Sequence, residues 1–186
     1  KNIYLWSSKN DKYYEFIKKN LPLSKLTEID LPILAKIAAE KGDIKTAADC
    51  YDELVSKTKE PKYLLDAAEL MEYAGKPELS IKYYEKHYAA TKNIESVERL
   101  AAVSYGLGDR EGGLRYERQK VFDEKNTTAI KAFIKKEAAD GFDTQALKDA
   151  STYKQITDSV ESAEFFADIA AAGGDIKSAK QVLKTQ

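Results

Sequence analysis

In AELMEYAGKPELSIKYYE (68–85) one helical pattern stops at Gly75 and another begins at Pro77. Glycine takes the left-handed backbone conformation that closes a helix, and proline's fixed φ and missing N–H suit the first turn of the next. The same punctuation recurs along the whole chain. Gly42, Gly75, Gly108, Gly141 and Gly174 follow one another at 33-residue intervals (75−42, 108−75, 141−108, 174−141), so five of the nine glycines keep one period. Asp43, Asp109 and Asp175 follow three of them, where a side-chain oxygen can accept from the free amides of a new helix. One further step back reaches Lys9-Asn10, a turn-compatible pair.

With glycine numbered fifteenth, units run 28–60, 61–93, 94–126, 127–159 and 160–186, after a partial unit at 1–27. Position eight holds Ala35, Ala68, Ala101, Ile134 and Ala167; position twenty holds Ala47, Ser80, Gly113, Ala146 and Ala179. Small residues in both columns predict a close crossing of two helices. Leu31, Leu64, Val97, Ile130 and Ala163 at position four, with Leu34, Ala67, Leu100, Phe133 and Phe166 at position seven, lie on one helical face. The second helices carry large residues such as Tyr51, Leu54, Tyr83, Tyr84, Leu114, Tyr116, Val182 and Leu183. Such a hairpin cannot bury its apolar face alone, so neighbours must stack. The expected fold is an all-α solenoid forming a single repeat domain. Three irregularities are expected: Gly112-Gly113 inside a second helix, a short second helix after Gly141, where Phe142 replaces Asp, and a long connection from Leu21 to Asp30.

Composition limits the chemistry. Thirty Lys and Arg balance 31 Asp and Glu, which argues against a nucleic-acid footprint. No run reaches the roughly 18 apolar residues of a membrane span. One Cys and one His exclude an internal disulfide and a conventional four-ligand zinc site, and no metal or cofactor motif is present. His87, beside Tyr83, Tyr84 and Tyr88, reads as a packing or surface histidine, and Cys50 as a buried structural thiol. The pairs Glu69/Glu72 and Glu95/Glu98 read as solvated helix faces. An enzyme would have to work with such carboxylates alone, so the reading is non-catalytic.

The segments IKTAADCYDEL (44–54) and 68–85 resemble the tetratricopeptide repeat (TPR) family, with its small residues at eight and twenty and glycine near fifteen; the usual period is 34. The resemblance extends over nearly the whole chain and implies a right-handed superhelix whose first helices line a concave groove for peptides or partner proteins. On the family's groove columns this sequence places Trp6, Lys36, Lys62, Asp66, Glu69, Glu72, Tyr73, Glu95, Glu98, Arg99 and Tyr105. A basic island at Lys131 and Lys135 and an acidic end at Glu161, Glu164 and Asp168 follow. The expected partner is a basic or mixed-charge protein or peptide, and no groove column offers the Asn of a chaperone-tail carboxylate clamp.

The alternative is a structural spacer or assembly platform within a larger secretion complex, since 68–85 also resembles degenerate repeats in periplasmic exopolysaccharide-export proteins. Both readings expect a piece excised from a longer polypeptide, with end-to-end self-association through uncapped ends. They leave the compartment open between cytoplasm and bacterial periplasm.

Overall fold

A computed structural model describes residues 2–184, with side chains from residue 9 onward. These residues form eleven α-helices and one 3-10 turn, and no strand. Helix α1 spans Asn2–Asn20, followed by the 3-10 turn Leu23–Lys25. Four antiparallel pairs form, with α6 Ile94–Gly106 and α7 Arg110–Asp123 lying between them in the chain: the first two are α2 Asp30–Glu40 with α3 Ile44–Thr58 and α4 Lys62–Tyr73 with α5 Pro77–Thr91. The last two are α8 Thr127–Ala139 with α9 Asp143–Thr157 and α10 Val160–Ala172 with α11 Ile176–Lys184. The chain divides into two compact units, one ending at Gly113 and one beginning at Leu114. Among the described residues no helix is long and apolar enough to cross a membrane.

The glycine period is a period of helix caps. All five glycines sit at φ between +67° and +85°. Around Gly75 the Lys76 amide donates to the Met71 carbonyl at 2.8 Å and the Gly75 amide to Glu72 at 3.0 Å, the paired bonds of a Schellman turn. Equivalent pairs close α2, α6, α8 and α10. A Cβ placed on Gly75 would meet nothing within 4 Å, so the requirement for glycine there is purely one of backbone conformation. The following helices start on Asp43, Asp109 and Asp175, whose carboxylates accept from Thr46, Gly112 and Ser178.

A second left-handed column accompanies the first. Lys59, Lys92, Lys125 and Asp158, again 33 residues apart, close the second helices at φ of 59°, 56°, 53° and 44°. Lysine has no preference for that conformation, so the column is silent in the sequence. Gly75→Ala should lose about 1–2 kcal/mol of stability through left-handed strain, whereas Lys92→Gly should gain up to about 1 kcal/mol. Urea denaturation of both variants checks this, and shifts of the same sign would contradict it.

The small and apolar columns pack as read. All ten residues at positions eight and twenty are buried, as are the position-four residues and four of the five at position seven, Phe166 being half-buried. In the first unit α2 packs on α3, α4 on α5 and α5 on α6. Tyr83 reaches back from α5 to the Ala48 carbonyl and to Asp52 on α3, both at 3.3 Å. Lys57 caps the Ser24 and Leu26 carbonyls of the long connection at 2.8 and 2.7 Å. In the second unit Ile130, Ile134, Ala146, Ala150, Tyr153, Phe165 and Ile169 form the core, with Tyr153 and Phe165 edge to face at 5.7 Å.

Three expectations are corrected. Helix α1 runs without interruption through Lys9-Asn10, where no glycine offers a cheap left-handed stop. Helix α9 is not short: it has 15 residues although Phe142 makes no side-chain cap, because burial of Ala146, Ala150 and Tyr153 holds it. Leu183 is 52% exposed and not part of the core. The glycine pair in α7 does permit close packing, since a Cβ on Gly113 would lie 2.4 Å from Cε1 of Tyr105.

Candidate functional site

The exposed faces of the first helices in the first unit carry most of the groove residues read from the sequence. On α2, Lys36 is exposed; on α4, Lys62, Asp66, Glu69, Glu72 and Tyr73 are exposed; on α6, Glu95, Glu98, Arg99 and Tyr105 are. The side chain of Trp6 lies outside those described. Tyr73 is 83% exposed, whereas Tyr105, laid over Gly113, is 36% exposed. Two residues absent from the sequence-based set belong to the same columns: Ile29, 76% exposed, and Ile33, 47% exposed, one turn apart on the α2 side. Attention to charge alone passes over them, although their positions, two and six, are among those that the family resemblance assigns to the groove.

Local contacts tune the acidic part. Lys62 pairs with Glu60 and lies 4.7 Å from the Tyr63 ring, so its charge is partly spent outside the face. Partial burial raises the Asp66 carboxyl above its ordinary value, and the Lys62 charge works against this. Glu72 is held from two sides. Its Oε2 accepts the hydroxyl of the buried Tyr84 at 2.9 Å, while Oε1 stands 4.0 Å from Nη1 of Arg99. Burial, then the bond to Glu72, pushes the Tyr84 phenol upward, so it remains a donor. Beside Glu72 a cleft of about 300 Å³ opens between Pro77 and the C-terminal half of α6.

The residues with conventional catalytic chemistry are committed to packing. His87 is buried with Nδ1 2.6 Å from the Ser96 hydroxyl, and desolvation lowers its pKa despite Glu95. Cys50 is fully buried, and desolvation pushes its thiol up to about 12, far from a reactive thiolate. Among the described residues no group of three or more His, Cys, Asp or Glu is arranged to hold a metal ion.

In the second unit the expected separation of a basic island from an acidic end is interrupted, because Lys131 pairs with Glu161 across α8 and α10. The sequence also gives no sign of a buried charge cluster there. Arg118 on α7 donates through Nη2 to Glu137 on α8 and through Nε to Asp149 on α9 at 2.5 Å. Gln145 donates to the other Asp149 oxygen at 2.9 Å. Glu137 is 0% exposed, and its Oε2 has no hydrogen-bond donor. Burial, then apposition to Asp149, pushes its carboxyl up to about 7, against the pull of Arg118. A proton on Glu137 turns two facing acceptors into a donor and an acceptor.

No protein-family model matches the chain, and no curated protein matches it. Among solved structures, MamA from Desulfovibrio magneticus RS-1 is 11% identical over 85% of this chain and 92% of that chain, with a TM-score of 0.42. A tetratricopeptide repeat protein from Parabacteroides merdae is 15% identical over 85% and 64%, with a TM-score of 0.43. YrrB, described as a TPR protein with an unusual peptide-binding site, is 18% identical over 91% and 88%, with a TM-score of 0.40. The resemblance to exopolysaccharide-export proteins is not supported. It is the period, the caps and the packed hairpins that make this chain an all-α helix-hairpin repeat protein.

Proposed function

We propose that the chain is a non-catalytic protein-interaction module whose first-helix face in the first unit receives a partner segment, apolar toward α2 and basic toward α4 and α6. The observation that carries this reading is the placement of Tyr73. An aromatic ring 83% in solvent, flanked by Asp66, Glu69 and Glu72, contrasts with Tyr83, Tyr84 and Tyr88, which the fold buries. Aromatic residues are enriched among interface hot spots, and exposed Ile29 and Ile33 extend the apolar contact. The surrounding acids favour capture and selection of a cationic segment.

The test is fluorescence polarisation with a panel of labelled twelve-residue peptides that pair an aliphatic half with a basic half. The triple variant Asp66→Asn, Glu69→Gln, Tyr73→Ala should weaken the best binder roughly tenfold or more while leaving the thermal midpoint unchanged, since all three side chains are exposed. Binding should also fall at high salt. Equal affinity of the variant and the unchanged protein would overturn the reading. Glu72 is left out of this variant because Glu72→Ala would strand the Tyr84 hydroxyl.

A further inference from the structure

We infer that the cleft beside Glu72 is a subsite for a single lysine side chain of the partner segment, an inference that rests on the partner-binding reading above. The cleft is lined by Glu72, Pro77, Ala102, Val103, Gly106 and Leu107. At about 300 Å³ it lies at the small end of ligand sites, suited to one side chain. Its walls are aliphatic except for one carboxylate at the edge, matching an apolar stem that ends in a cation.

Lysine is favoured over arginine by the state of that carboxylate. Glu72 Oε2 is engaged by the Tyr84 hydroxyl, which fixes the group's orientation and removes one oxygen from a bidentate fork. Oε1 makes a long ion pair with Arg99 at 4.0 Å, beyond hydrogen-bonding distance, so its hydrogen-bonding position remains for a second cation. A compact ammonium needs one such oxygen, whereas a guanidinium is best met by two. Helices α4 and α6, which both contribute to the cleft, carry the complementary sign over their length. Asp66, Glu69, Glu72, Glu95 and Glu98 on α4 and α6 outnumber Lys62 and Arg99 by three charges.

The experiment is a methyl NMR titration of the whole chain with Nα-acetyl-lysinamide, read at Val103 and Leu107. Nα-acetyl-norleucinamide, with the stem and no ammonium, and Nα-acetyl-argininamide serve as comparison probes. The lysine probe should shift both methyl groups saturably, at least fivefold more tightly than either comparison. Glu72→Gln, which keeps an acceptor for Tyr84, should weaken the lysine probe by a similar factor. Unmoved methyl groups, equal binding of norleucine or arginine, or equal binding to Glu72→Gln would each overturn the subsite.

The two readings fail separately. A basic peptide that binds through Tyr73 but ignores Glu72→Gln leaves the surface standing and removes the cleft. Lysine binding in the cleft without peptide binding to the face supports the cleft and removes the surface.

Discussion

Arg118→Ala is expected to lower stability by roughly 3–5 kcal/mol at pH 8, the largest effect of any single substitution considered for this protein. The guanidinium is the cation that two buried carboxyl groups share: Glu137 is 0% and Asp149 4% exposed. Removing it leaves acidic groups out of water with nothing to compensate their charge, and opens space beside Phe133, whose ring lies 5.9 Å from the guanidinium. The loss should shrink toward pH 5, because Glu137, whose carboxyl burial and Asp149 push upward, then carries a proton and needs the guanidinium less. Arg118→Lys should fall between, since one ammonium cannot repeat the two-directional bonding of Nε and Nη2. Urea denaturation at both pH values measures this. A loss below about 1 kcal/mol at pH 8, or an equal loss at pH 5, would show that the cluster is not the stabilising unit described.

The second large effect is one of pH. Glu137 has an ordinary carboxyl value of 4.5, and in the folded chain desolvation and Asp149 raise it to about 7. The folded state therefore holds a proton that the unfolded chain releases. Its stabilising contribution is complete below about 4.5 and is lost as pH rises through about 7. Glu137→Gln imitates the protonated carboxyl, with an oxygen for Arg118 and a donor for Asp149. The variant should match the unchanged protein near pH 5 and exceed its stability by about 1–2 kcal/mol at pH 8. His87 titrates in the opposite sense: its lowered pKa gives stability above its ordinary value of 6.5 that fades as pH falls. The difference between variant and unchanged protein is thus the informative quantity, since His87 contributes equally to both. A difference independent of pH between 5 and 8 would refute the shared proton.

How much of this was legible in the sequence depends on whether the cause is local. Gly75 announces its turn because a left-handed backbone is a property of the residue itself, and its recurrence at 33-residue steps marks every hairpin. Lys59, Lys92 and Lys125 adopt a similar conformation with the same period and give no signal, because there the fold imposes the conformation on a residue indifferent to it. The exposed face was legible in part. Tyr73 and the acids of α4 stood out by charge and aromaticity, while Ile29 and Ile33, which carry no charge, were passed over, and their exposure of 76% and 47% brings them into the set.

The sequence by itself determined that this protein is a series of helix hairpins, because helix stops, helix starts and small crossing residues act over one or two turns of chain. Only the tertiary structure decided which charges lie inside it. Glu137 follows Lys135 and Lys136 in a stretch that reads as a solvated helix face, yet it meets Arg118, 19 residues earlier, and Asp149 on the next helix. Desolvation and pairing depend on what other helices bring to the same point. The same holds at Glu72, where Tyr84 and Arg99 give one carboxylate among several a fixed direction and a neighbouring cleft.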